Sequence, residues 1–464
     1  MLKALLDRGR VVAERTQRFA KNYPKQTIFI AVWVVITMLP IVFLMQLLVR
    51  YSVNIPFWDQ WMYVNLVDKW NHGTLGFYDL WVQHNEHRIL VPKFVQLVMS
   101  SITGWNIRFE VVMNFAFALT TFGLMVALLR RTFSRATPIL LIVPVVALLL
   151  FSPMQYINWI WGFQLAWFLS VTAVVACVWG LAKHTYKTID RFFIFALVVG
   201  IVATYSMGNG MLIWAVGAGM LVLKAATKRH YVWWMVTAAL AIAGYMFKLQ
   251  RADQESPTFV LLHRTSDFVD YIFQYLGHNL AVTPQVAKNA GIILLVLMMV
   301  SVILLWRKRR LAIASPWLAI AGYGFLTAVL AAVSRMPNFG VSHSMVFSYT
   351  TMSVLFVIGA LVTVCYAAFT YIYEASSQRL KQYLVVAFGL GILMWPAANG
   401  IWQNYTQGTR NLKELSNHLS TVRHCVFTAT SADDDCLLKA YPDKEYAWQR
   451  IETLRKLHWD SLGR

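Results

Sequence analysis

The sequence predicts an all-α protein that crosses a membrane many times. Three observations carry this. Of 464 residues, 58% are hydrophobic and only 13% are charged, where soluble domains carry about 25% charged residues. Long apolar runs recur along the whole chain, on the scale needed to span a hydrocarbon core of about 30 Å. Within the runs, apolar and polar residues do not alternate as they would in a membrane β-barrel.

Eleven spans are predicted, at roughly 27–49, 109–129, 137–152, 163–182, 192–207, 210–223, 231–247, 289–306, 315–334, 346–373 and 383–402. The first starts late, is long for a signal peptide and lacks a small-residue cleavage site, so it reads as a retained helix. Basic residues then fall in every second connection: the N-terminal 1–26, Arg130/Arg131/Arg135, Lys183/Lys187/Arg191, Lys224/Lys228/Arg229, Arg307 to Arg310, and Arg379/Lys381. By the positive-inside rule the N-terminus is cytoplasmic and the C-terminus is outside. The net charge of +20 is thereby topological. It is scattered over helix ends rather than gathered in one patch, which excludes a nucleic-acid partner.

Two outer loops are long, 50–108 and 248–288, and residues 403–464 form a small polar tail. Cys177 and Cys365 fall inside spans and read as packing residues. Cys425 and Cys436 lie in the tail, where an oxidising compartment predicts a disulfide. The alternative, a metal site, lacks a well-spaced histidine pair.

No acidic or basic residue falls in the middle of a span, which weighs against ion-coupled transport. Polar residues gather instead at the outer helix ends, in "NWIWGFQ" (158–164), "SMGNG" (206–210), "SRMPNFGVSHS" (334–344) and "SYTT" (348–351). Arg335, with Ser344, Ser348 and Tyr349 close by in sequence, reads either as a phosphate ligand or as a snorkelling anchor. The first outer loop carries "FWDQWMYVNLVDKW" (57–70) and "HNEHR" (84–88). Residues 58–70 and 89–103 read as amphipathic helices lying on the membrane. They hold Asp59, Asp68, Asp79 and Glu86 beside aromatic side chains. A carboxylate partly desolvated in this way can serve as a general base. His84, His87 and Arg88 could bind a phosphate or a metal ion, and no further metal ligand is evident.

A multi-span helical protein with an acidic, membrane-lying first outer loop resembles the GT-C glycosyltransferases. The resemblance rests on loop one and the overall architecture. It implies transfer of a sugar from a polyprenyl-phosphate donor to a periplasmic protein or glycan, on the outer side of the membrane. It also implies an essential aspartate, best matched by Asp59 of "PFWDQW", with Glu86 and then Asp79 as candidates for a second acid. The second outer loop, "SPMQYINWIWG", has no acid, so the second acid and any divalent cation stay open. No other cofactor is implied. Size and span number look most like bacterial type IV pilin arabinofuranosyltransferases or O-antigen glucosyltransferases. Two other readings are a flippase or transporter for lipid-linked sugars, and an O-antigen ligase or polymerase. The first needs a polar path through the membrane and the second an arginine-rich outer loop.

Overall fold

A computed structural model describes residues 24–250, 263–374, 379–457 and 459. Among them the chain is helical, with one isolated bridge between His84 and His87 and no strand. Seven stretches are long and apolar enough to cross a membrane: Thr27–Tyr51, Ile107–Thr132, Ala136–Ile160, Gly162–Lys183, Pro284–Arg307, Leu311–Phe339 and Phe347–Tyr371. The protein is a multi-pass α-helical membrane protein. Helices also occupy the other four predicted spans. Arg191–Thr204 and Gly208–Leu223 are apolar but short. Lys228–Met246 opens on Lys228, Arg229 and His230. The 383–402 stretch lies inside one helix of 50 residues, Arg379–Thr428, and the expected boundary at 403 falls within that helix.

Helices in a bilayer gain nothing from burying leucine against leucine, so they associate where small residues let backbones approach. The central pair, Leu311–Phe339 and Thr350–Glu374, follows this rule. A methyl group on Gly324 would meet Phe356, and one on Gly359 would meet Ala321. Leu165–Lys183 is buried along nearly its whole length.

Loop one folds as a cap on one end of the bundle. The predicted 58–70 helix forms in two contiguous parts, Trp58–Met62 as a 3-10 turn and Tyr63–Asn71 as an α-helix, and Trp58 at its first position takes a positive φ of 47°. The second expected helix forms as Leu90–Thr103. It is stopped by Gly104 in the left-handed region at φ 60°, a conformation only glycine takes cheaply.

Two buried cations hold this cap. Lys93 Nζ donates to the carbonyls of Val82 at 2.7 Å, Asp79 at 3.3 Å and Leu80 at 3.4 Å, and burial pushes its amine down to about 8. Arg88 donates to the carbonyls of Tyr245 at 2.6 Å, Trp81 at 2.7 Å and Phe247. Together they satisfy carbonyls at the end of the Phe77–Trp81 helix and of the Lys228–Met246 helix.

A third clamp is Glu110, fully buried in the first turn of Ile107–Thr132. It accepts from Gln60 Nε2 at 2.6 Å, Trp105 Nε1 at 2.9 Å and Gln96 Nε2 at 3.2 Å. The C-terminal segment closes the same end. Cys425 and Cys436 are joined, with Cα atoms 5.7 Å apart. The Lys444–Lys456 helix packs on Tyr63–Asn71. The Trp459 indole donates to the Gly104 carbonyl at 3.0 Å and stacks on Trp105 at 5.3 Å.

Gly162 faces the Glu110 carboxylate so closely that an added methyl would run into both Glu110 Oε2 and Gln60 Nε2. Gly162→Ala is therefore expected to break the Gln60–Glu110 bond and destabilise the protein by about 1–3 kcal/mol, as overpacked sites do. A thermal melt of the purified protein in detergent checks this. An unchanged midpoint would show that the clamp is slack.

Candidate functional site

The cap and the bundle enclose a cavity of about 270 Å³. Five stretches far apart in sequence build it, among them the Thr265–Gly277 helix, which contributes Tyr275. Loop one contributes Asp59, His84, Asn85 and His87. The 161–167 segment contributes Trp161, Phe163, Gln164 and Trp167, and the 207–209 turn contributes Met207 and Asn209. The Leu311–Phe339 helix and its following turns contribute Arg335, His343, Ser348 and Tyr349.

"HNEHR" is a tight hairpin turn. His84 N–H donates to the His87 carbonyl at 2.8 Å and His87 N–H to the His84 carbonyl at 2.9 Å. Asn85 supplies the positive φ of 47°, which asparagine tolerates better than most residues. The turn aims His84 at Asp59, with Nε2 3.2 Å from Oδ2. Phe163 packs against the His84 ring at 5.1 Å. Asp59 sits in the 3-10 turn whose Phe57 carbonyl accepts from Trp161 Nε1 at 2.8 Å. The turn also presents Glu86 to Arg335, with Oε2 2.6 Å from Nη2. One four-residue turn thus engages both an acid and a base of the site.

Of the residues singled out in the sequence, Asp59, His84, His87, Arg335 and Tyr349 line the cavity, with Glu86 tied to Arg335 at its edge. Four do not join them. Asp68 lies beside His72, its Oδ1 3.2 Å from Nδ1. Asp79 pairs with Lys69 at 2.5 Å and accepts from Gly76 N–H at 2.9 Å. Lys69 holds its carboxyl below the usual range. Arg88 is buried with its guanidinium committed to three carbonyls, so it has no face left for a phosphate. Ser344 is buried on Gln274. No group of three His, Cys, Asp or Glu side chains able to hold a metal ion occurs among the described residues.

Sequence reasoning missed Trp167, Gln164, Asn209 and His343 as cavity residues and Glu110 as the anchor beneath them. Gln164 and Asn209 are buried, and their Oε1 and Oδ1 atoms have no hydrogen-bond partner among the described residues. Buried polar atoms without a partner are costly, so a polar ligand suits this cavity. The rings of Trp161, Phe163, Trp167, Tyr275 and Tyr349 supply flat apolar walls beside those polar atoms. That combination suits a sugar, which has both hydroxyl edges and C–H faces. Comparison with family models, curated proteins and solved structures finds no match to this chain.

Burial, with Arg335 and His84 nearby, pushes His87 down to about 4, against about 6.5 for a free imidazole. The folded protein keeps His87 neutral while the unfolded chain takes up a proton below about 6.5. Stability from this group is complete above pH 6.5 and falls as the pH drops from 6.5 towards 4. Melting midpoints at pH 7.5 and pH 5 should therefore differ more in the wild type than in His87→Gln. An equal pH response in the two proteins would remove His87 as the cause.

Proposed function

We propose that this protein is a membrane glycosyltransferase of the GT-C kind, which moves a sugar from a polyprenyl-phosphate carrier to an acceptor hydroxyl. The observation that carries the reading is one aromatic-walled cavity at the bundle end, with a carboxylate, Asp59, and a guanidinium, Arg335, both on its lining. In the topology given by the basic loops, this end faces the periplasm, where the Cys425–Cys436 disulfide is also at home. Nucleotide sugars are absent from that side, so a lipid-linked donor is the fitting one.

Each residue then has a task. Asp59, steadied by His84, takes the proton of the acceptor hydroxyl as its oxygen attacks the anomeric carbon. The bond between that carbon and the phosphate oxygen breaks, and its electron pair leaves on the polyprenyl phosphate. Positive charge developing on the ring is stabilised by the same carboxylate. Arg335 holds the departing phosphate through charge-assisted bonds, which requires it to exchange Glu86 for the phosphate. Glu86 is accordingly the counter-ion of the resting site rather than a second catalytic acid.

Asp59→Asn should leave the protein folded and cost on the order of 100-fold or more in transfer rate, the scale of lost general-base catalysis. Transfer from a synthetic polyprenyl-phosphate sugar by purified protein measures it, and near-normal activity would sink the assignment.

Arg335→Ala should weaken donor binding by about 2–3 kcal/mol, the range for a bond to a charged group. Arg335→Lys should weaken it less, having lost only the fork geometry. Glu86→Gln should strengthen donor binding, because it removes the competing carboxylate. If donor affinity is the same in all four proteins, Arg335 is only a membrane anchor.

A further inference from the structure

At the opposite end of the bundle a second cavity, of about 620 Å³, lies between two helix ends. One wall is Val222 and Leu223 and the other is Trp306, Arg307, Arg309, Leu311 and Ala312. Val222 is 63% exposed and Trp306 67% exposed. Large apolar side chains left open on a membrane helix face lipid, so the cavity opens sideways to the bilayer and not into the protein.

Each wall ends in the same kind of turn. Ala226 N–H donates to the Leu221 carbonyl and Ala225 N–H to that of Val222, with Ala225 at φ 50°. Arg310 N–H donates to the Leu305 carbonyl and Arg309 N–H to that of Trp306, with Arg309 at φ 55°. This left-handed position normally belongs to glycine. An arginine there carries a backbone cost, yet it puts its side chain on the lining of the cavity.

The charge around the cavity is of one sign. Arg307 and Arg309 form no ion pair among the described residues, and neither do Lys224 and Arg131. Lys224 follows Leu223 directly. Burial and the charge of Arg131 beside it press its amine below the ordinary lysine range. Two arginines on the lining of a lipid-facing apolar cleft, with Lys224 next in sequence to Leu223 and Arg131 beside that lysine, call for an anion that also carries a hydrocarbon chain.

We infer that the cleft between Val222/Leu223 and Trp306–Ala312 is a binding site for one anionic phospholipid. Its phosphate rests on Arg307 and Arg309, and the upper part of an acyl chain lies along Val222, Leu223 and Leu311. Trp306 sits at the headgroup level, as interfacial tryptophans do. Basic pockets between transmembrane helices hold anionic headgroups in this manner. The site is distinct from the cavity at Asp59 and Arg335, and it needs only the membrane-spanning character of the chain, not the transferase reading.

The test is lipid retention by native mass spectrometry, after reconstitution in phosphatidylcholine with and without phosphatidylglycerol. Wild-type protein should keep one phosphatidylglycerol in preference to phosphatidylcholine. At about 1 kcal/mol for each basic residue near a lipid surface, Arg307→Ala with Arg309→Ala should weaken that retention about 30-fold. Lysine at both positions should restore most of it. Equal retention of phosphatidylcholine by the wild type would overturn the proposal without recourse to any variant. So would full displacement of the lipid by inorganic phosphate, since the site would then read phosphate alone. Undiminished retention in a double alanine variant that elutes and melts like the wild type would do the same.

Discussion

The geometry of the cavity end depends on one buried carboxylate. Glu110 stands at the start of a membrane span and accepts three N–H bonds, from Gln60, Gln96 and Trp105. Isolated, a buried charge would be too costly to keep. Satisfied in this way, it binds three separate pieces of loop one to one helix. Gln60 follows Asp59 directly, so the turn that carries the candidate base is fixed at its neighbour. Trp105 continues the tie, because the C-terminal Trp459 stacks on it. Trp459 of the tail and the turn of Asp59 thus share an anchor.

Around this anchor the polar residues divide into two kinds. Arg88 and Lys93 are spent on carbonyls and behave as mortar. Their charge is used to end helices, and they are as inaccessible as the leucines around them. Asp59, His84, Arg335 and Glu86 form pairs that remain partly open, with side-chain exposures between 16% and 30%. A pair that is already satisfied yet still reachable can exchange partners, which is what a site for a charged substrate requires.

Much of the architecture could be read from the chain, since hydropathy over a window of residues reports directly on a bilayer. The same holds for Leu90–Thr103, whose apolar stripe is regular, and for Cys425 and Cys436, which meet as expected. The 3-10 start of the Trp58–Asn71 stretch could not be read, because a positive φ at tryptophan has no composition signal. "HNEHR" announced itself by density of polar groups, but while His87 lines the cavity, its three other charged or titratable side chains went to three different places. His84 reached Asp59, Glu86 reached Arg335, and Arg88 turned inward to backbone. Those destinations depend on contacts as distant in sequence as Glu86 and Arg335. Glu110 was overlooked for a related reason: at the edge of a span, an acid looks like an ordinary helix start. Gln164 and Asn209 stand in two separate polar runs at outer helix ends, and only the fold brings them to one wall.

The 50-residue Arg379–Thr428 helix has a mechanical consequence. At 1.5 Å per residue it is about 75 Å long, against about 40–45 Å for a bilayer with its headgroups. Roughly 30 Å of it must stand clear of the lipid as a mast. It is seated where Asn404 donates to the Asn279 carbonyl at 2.9 Å, and where Gly400 and Gly408 pass against the Leu280 and Pro153 backbones. The mast carries the disulfide-bonded segment at its tip, and that segment rests on loop one. The setting of the long helix is therefore mechanically linked to the setting of loop one, because the segment it carries packs on Tyr63–Asn71.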